Sequence, residues 1–172
     1  MTERYEELAP RPVKRTMELA PEPEAKTAVQ LAMPTKELAL RILGKVGFAQ
    51  RLIGYKILML TKAKEASICS LAEAIDFTDL CCQSYNKDKV LREGGRRFIA
   101  RLDLNSLRDW IGLALGDKDL AEAITEELGE GCSSRRVDEM TKYFLKHAGP
   151  IKELMQQRLE QCEEIARVEP ET

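Results

Sequence analysis

Histidine is nearly missing from this 172-residue chain: His147 is the only one. Imidazole is the side chain best suited to moving protons near neutral pH. His147 stands just before Gly149-Pro150, at what reads as a helix end, where its charged form favours the helix dipole. No Ser, Cys or Asp accompanies it in a nucleophile–base pattern. A glycine-rich phosphate loop is also missing. Gly94-Gly95 is not followed by Lys-Ser or Lys-Thr, and Gly129-Glu130-Gly131 ends a helical stretch rather than opening one. The expectation is a protein that is not an enzyme and needs no cofactor.

Regularly spaced cysteines are lacking too. The five are Cys69, Cys81, Cys82, Cys132 and Cys162. Zinc and iron–sulfur sites need repeated pairs two to four residues apart, and only Cys81-Cys82 are near neighbours. A cage of Cys69, Cys82, Cys132 and His147 ranks below simple buried thiols, so no metal is expected. Cys82 and Cys162 are expected inside, and Cys132, between Gly131 and Ser133, is expected to be the most accessible. The opening MTERYEELAPRP has no apolar secretory core. The most apolar stretch, Leu38 to Leu60, contains Arg41, Lys45, Arg51 and Lys56, too many charges for a membrane span. With an odd number of cysteines, these points favour a cytoplasmic protein without disulfides.

Aromatic residues are scarce, at 5%, and the 44% apolar content is mostly Leu, Ala and Ile. Such side chains lose little freedom in a helix. No stretch alternates like a strand between turn signals. The fold class expected is all-α: a compact multi-helix bundle over residues 35–168. A flexible, proline-containing tail (1–34) precedes it, and a short disordered end (169–172) follows. In that tail the phrase Glu-Leu-Ala-Pro occurs twice, and Leu8, Val13, Met17 and Leu19 would be its anchors on a partner.

Caps and stripes divide the domain. Thr35 caps a helix expected to run to about Lys62, unless it breaks near Gly44–Gly47. Gly44, Gly47 and Gly54 would share one face of it and admit a close neighbour. Ser67 to Asn86 reads as a second helical region with a possible break at Asp76, and Asp88 to Leu102 as a third, interrupted at Gly94-Gly95. Asp103 or Asn105 caps the next, Gly116-Asp117 separates it from a helix ending at Gly129, Ser133 or Ser134 caps one to His147, and Pro150 begins the last.

Charge is unevenly spread. Residues 36–64 hold seven Lys or Arg against Glu37 alone, whereas the remainder after Lys64 has 15 bases and 22 acids. On a helix, Arg41, Lys45 and Lys56 would share one arc, widened by Arg51 and Lys62. A second cluster contains Lys87, Lys89, Arg92, Arg96, Arg97 and Arg101. Arg41, Lys45, Arg51, Lys56, Lys62, Arg96 and Arg97 are therefore the candidate partner-binding residues; the competing role is neutralisation by the chain's own acidic half. The segment SICSLAEAIDFTDLCCQSY, about 67–86, also threads onto a helix-turn-helix, but its reading helix would lack Lys and Arg until Lys87.

The stretch LDLNSLRDWIGLALGDKDLAEAI resembles the end of an uncharacterised prokaryotic helical domain. Trp110-Ile111, Gly116-Asp117 and Leu120-Ala121 match that family's Trp-Ile, Gly-Asp and Leu-Ala. Leu107 replaces its Phe and Ser106 its Asp. With ICSLAEAI upstream, the resemblance spans about Ile68 to Ile124. It implies helical structure and no particular activity.

The functional expectation is a non-catalytic accessory or adaptor protein that docks on a larger protein partner. The alternative is a DNA-binding regulator using the helix-turn-helix. Neither reading sets an oligomeric state.

Overall fold

The computed structural model describes residues 30–59, 63–86 and 88–168. Thr35 caps helix α1 (Lys36–Leu43), its hydroxyl accepting from the Leu38 amide at 3.2 Å. Gly44 ends it. A short 3-10 turn (Phe48–Gln50) leads to strands β1 (Leu52–Leu58) and β2 (Ala63–Ile68). Helix α2 (Leu71–Ser84) follows its cap Ser70, then strands β3 (Arg92–Glu93) and β4 (Arg96–Arg101). Helix α3 (Leu104–Trp110) runs into a wider turn at Ile111–Leu115. Helices α4 (Lys118–Leu128) and α5 (Val137–Arg167) complete the described chain.

The all-α expectation is overturned, and the molecule is not a helical bundle. The four strands form one antiparallel sheet in the order β2-β1-β4-β3. The expected helix from Thr35 towards Lys62 stops at Gly44 because Leu52–Leu58 pairs with β2 on one side and β4 on the other. Its Ile53, Tyr55 and Ile57 recur at every second position on one sheet face and suit a strand better than a helix. Gly54 does admit a close neighbour, but across a sheet: a Cβ there would lie 2.4 Å from the Phe77 ring. The expected helix over 88–102 is a hairpin. Gly94 and Gly95 sit at φ +58 and +78, the backbone that a tight two-residue turn between twisted strands requires.

Two helical expectations also change. Leu71–Ser84 is a single helix with Asp76 in its middle, so the turn that a helix-turn-helix needs is absent. Residues 137–167 form one helix through Pro150, where two helices were expected to meet. Pro150 cannot donate to the carbonyl one turn back. Burial of Phe144, His147, Ala148, Ile151 and Met155 on both sides of it holds the helix together. The other junctions follow the caps: Asp103 begins α3, Asp117 begins α4, and Gly116 takes φ +75 between them.

Helix α2 covers one face of the sheet, over Leu52, Gly54, Phe98 and Ala100. The Ser84 hydroxyl there accepts from the Ala100 amide at 3.0 Å. Helix α5 packs against α1, α2 and α4. The other sheet face carries Ile53, Tyr55, Ile57, Ile99, Arg97 and Arg101, by the register of β1 on β4. On that face Tyr55 and Arg97 are exposed, and the three isoleucines are half-buried.

Residues 1–29 of the expected tail, and 169–172 of the expected end, lie outside the described residues. Residues 30–34 do not trail away: Leu31 and Pro34 are buried. The fully buried Arg158 donates Nη1 to the Ala32 carbonyl at 2.6 Å and to Gln161 Oε1 at 2.9 Å. Gln161 Nε2 donates to the Leu31 carbonyl at 3.0 Å. Arg158 Nε stands 2.8 Å from Asp117 Oδ2. That approach is too poorly aligned for a hydrogen bond, so the pair is held there by charge, while Nη2 donates to Oδ1 at 3.4 Å.

Candidate functional site

A groove of about 680 Å³ opens where the sheet face opposite α2 meets the first turns of α3 and α5. Ile53 and Tyr55 of β1 and Arg101 of β4 form one side, and Arg51 stands just before β1. Val137, Met140, Thr141 and Phe144, spaced along one face of α5, form the other. Trp110, Tyr85 and Tyr143 line it between them. This size lies within the range of ligand pockets, and an apolar lining with a few polar groups is their usual chemistry.

The polar groups are mostly committed. Trp110 Nε1 donates to the Gln50 carbonyl at 2.8 Å, and the Tyr143 hydroxyl to the Leu128 carbonyl at 3.2 Å. The Tyr85 ring meets Phe144 edge-on at 5.9 Å. Burial pushes the Tyr85 hydroxyl above its ordinary pKa, opposed in part by the Arg101 guanidinium, so Tyr85 is a neutral donor at physiological pH. Asp103 accepts from the Asn105 amide at 3.0 Å and the Ser106 hydroxyl at 2.9 Å, and so is spent on starting α3. Arg51 stacks on the Phe48 ring at 3.8 Å, donates to the Phe48 carbonyl at 3.0 Å, and lies 3.9 Å from Glu65.

The groove is arranged for holding a ligand. Cys132, at its rim, has a thiol directed to the Ser134 carbonyl at 3.6 Å. His147 does not line it. The His147 ring sits 3.3 Å from Glu127 and 4.6 Å from the Tyr143 ring, a buried link between α4 and α5 instead of the helix-end position expected. Among the described residues no group of three or more His, Cys, Asp or Glu could hold a metal ion. Of the thiols, Cys132 is exposed and Cys162 buried, but Cys82 is only half-buried; its neighbour Cys81 is the one fully inside.

The seven candidate partner-binding residues do not share a helical face. Arg41 is on α1, 3.6 Å from Glu37, and Lys45 in the loop after it pairs with Glu73 at 2.9 Å. Lys56 faces the α2 side of the sheet, 3.8 Å from Glu93 and 5.4 Å from the Phe98 ring centre. Arg96 and Arg97 are exposed on β4 and point to opposite sheet faces. Lys62 lies outside the described residues. Of the six that are described, only Arg51 lines the groove. Sequence reasoning missed Tyr55, Met140 and Val137, whose common signal is apolar side chains left exposed, visible only once the elements are in place. No helix of the described residues is long and apolar enough to cross a membrane. Comparison of the chain with protein-family models, with curated proteins and with solved structures finds no match.

Proposed function

We propose that this protein is a non-catalytic docking module that binds a larger protein partner, with the groove and the adjoining sheet face as its contact surface. The observation that carries this reading is the convergence of exposed apolar side chains on one opening: Tyr55 at 42% exposure, Met140 at 49% and Val137 at 55%. Isolated exposed apolar residues are ordinary on protein surfaces, but several around one apolar recess make a site for anchoring side chains. The DNA-binding alternative loses its support, since it rested on a turn within 67–86 that α2 does not contain.

The test uses full-length protein carrying Met140→Asp together with Tyr55→Ala, recovered from its own cells with whatever it binds. Both positions are substantially exposed, so the thermal midpoint should stay unchanged. Recovery of specific partners should fall by about tenfold or more, the effect of losing a well-packed anchor. Leu113→Asp, at the 86%-exposed residue outside the groove, should change nothing. Retention of every partner by the double variant would defeat the proposal.

A further inference from the structure

We infer that the segment received at this surface is acidic and carries one large apolar anchor. Its carboxylates would lie along the arginines of the open sheet face while the anchor enters the groove. This inference rests on the docking reading above. The sheet puts Arg97, Arg101 and Arg92 on one face: Arg97 and Arg101 by the alternation of β4, and Arg92 as the direct cross-strand partner of Arg97. Like charges opposite one another destabilise a strand pair, so the Arg92–Arg97 pairing is unfavourable as it stands. No carboxylate among the described residues lies within ion-pair distance of any of the three.

The nearby acids are engaged elsewhere. Glu93 belongs to the other face, 3.8 Å from both Lys56 and Lys64. Glu65, opposite Tyr55, faces Arg51, and Asp103 caps α3. Three guanidiniums thus stand without a carboxylate partner among the described residues, on the one sheet face that α2 does not cover. Arg97 and Arg101 stand about 13 Å apart along the strand, with Ile99 between them and Ile57 and Tyr55 beside it. Guanidinium forks pair with carboxylates in two-bond geometry. The surface therefore offers apolar contact flanked by carboxylate sites. A single-stranded nucleic acid would also meet the arginines, but it needs aromatic faces for its bases. Of Ile53, Tyr55, Ile57 and Ile99 beside the arginines only Tyr55 supplies one, and in the groove Trp110 and Phe144 are buried while Tyr85 and Tyr143 are half-buried against their neighbours, which favours a protein segment.

The experiment pans phage-displayed random peptides of about 16 residues on the immobilised full-length protein. The recovered pool should be enriched in Asp and Glu and carry Leu, Phe or Trp. A synthesised member should bind about tenfold more weakly to Arg97→Glu/Arg101→Glu, and should weaken as salt rises from about 50 to about 300 mM. The milder Arg97→Gln/Arg101→Gln pair, checked for an unchanged thermal midpoint, should show the same direction. Peptides that bind, are lost on Met140→Asp, and prove neutral or basic would overturn the acidic inference and leave the docking reading standing. Failure to recover any peptide sensitive to Met140→Asp would overturn both. Peptide binding indifferent to the arginines, with capture of a 20-mer (about that length) of deoxythymidylate that needs them, would assign the arginines to phosphate and overturn the inference as well.

Discussion

Arg158 is the largest side chain with no exposure among the described residues. A guanidinium removed from water is costly unless its charge and donors are met, and here Asp117, Gln161 and the Ala32 carbonyl share that task. Replacing it with Met leaves Asp117 buried and uncompensated, and leaves the Ala32 carbonyl without its donor. Arg158→Met should lower stability to urea by about 3–5 kcal/mol. Adding Asp117→Asn, which keeps a side-chain oxygen for the Leu120 amide, should recover part of that loss. A single variant within about 0.5 kcal/mol of the parent would show that the pair is dispensable. The thiols make a second test at this scale. Burial pushes Cys162 up to about 11 and raises Cys81 further still. The thiolate is the reactive form. A thiol reagent at pH 7.5 (about one unit below the free thiol pKa) should label Cys132 first, Cys82 slowly, and Cys81 and Cys162 only in denaturant. Early modification of Cys162 would contradict its burial.

Elements divide into those the sequence shows plainly and those it hides. Helices α3 and α4 were legible because their caps, Asp103 and Asp117, and their stop glycines, Gly116 and Gly129, are local signals. The sheet was not. β1 holds only one basic residue, Lys56, whose spacing from Arg41 and Lys45 also suits a helix, and its identity depends on partners far along the chain, such as Arg101 opposite Tyr55. The β3–β4 hairpin did carry a local signal, Gly94-Gly95 between short runs, but read as a helix break it conceals two strands. The groove was legible least, since its sides come from β1, from β4 running into α3, and from α5, segments that only the fold brings together. The fit of α2 on the sheet is testable at Gly54. Gly54→Ala drives a methyl into the Phe77 ring and should cost about 1–3 kcal/mol, partly relieved by Phe77→Leu. A neutral outcome would mean that α2 does not sit tightly on β1. Acid should loosen the same helix. The Lys45 ammonium, helped by the Cys69 amide, holds Glu73 below the usual carboxylate range, and Lys152 of α5 does the same for Asp79. Both pKa values are lower in the folded state, so both contribute stability above the unfolded value of about 4, and lose it as pH falls through the folded values. The urea midpoint should be flat above about pH 5 and decline below about pH 4, more gently in Glu73→Gln/Asp79→Asn. An unchanged slope in that variant would remove these two pairs from the account.

At the scale of the whole molecule, α5 is the common support. It runs about 46 Å. Its first turns wall the groove, its middle packs on α2 and α4, and its far turns hold Asp117 and the chain at Leu31 and Ala32. The span of those last contacts has a consequence for synthesis. Gln161 meets Leu31 across 130 residues, and Arg158 meets Ala32 across 126. A growing polypeptide leaves the ribosome at about 5–20 residues per second, so Leu31 waits on the order of 10 s for its partner. During that time the β1–β2 hairpin and α2 can form and meet, but the sides of α1 and α2 that pack on α5 lack their partner. Nascent chains halted before Arg158 should be cut rapidly by protease within residues 30–84, whereas chains released after Arg167 resist. Equal resistance in the two would show that the first half folds unaided. That delay is the interval in which the young chain most needs a chaperone.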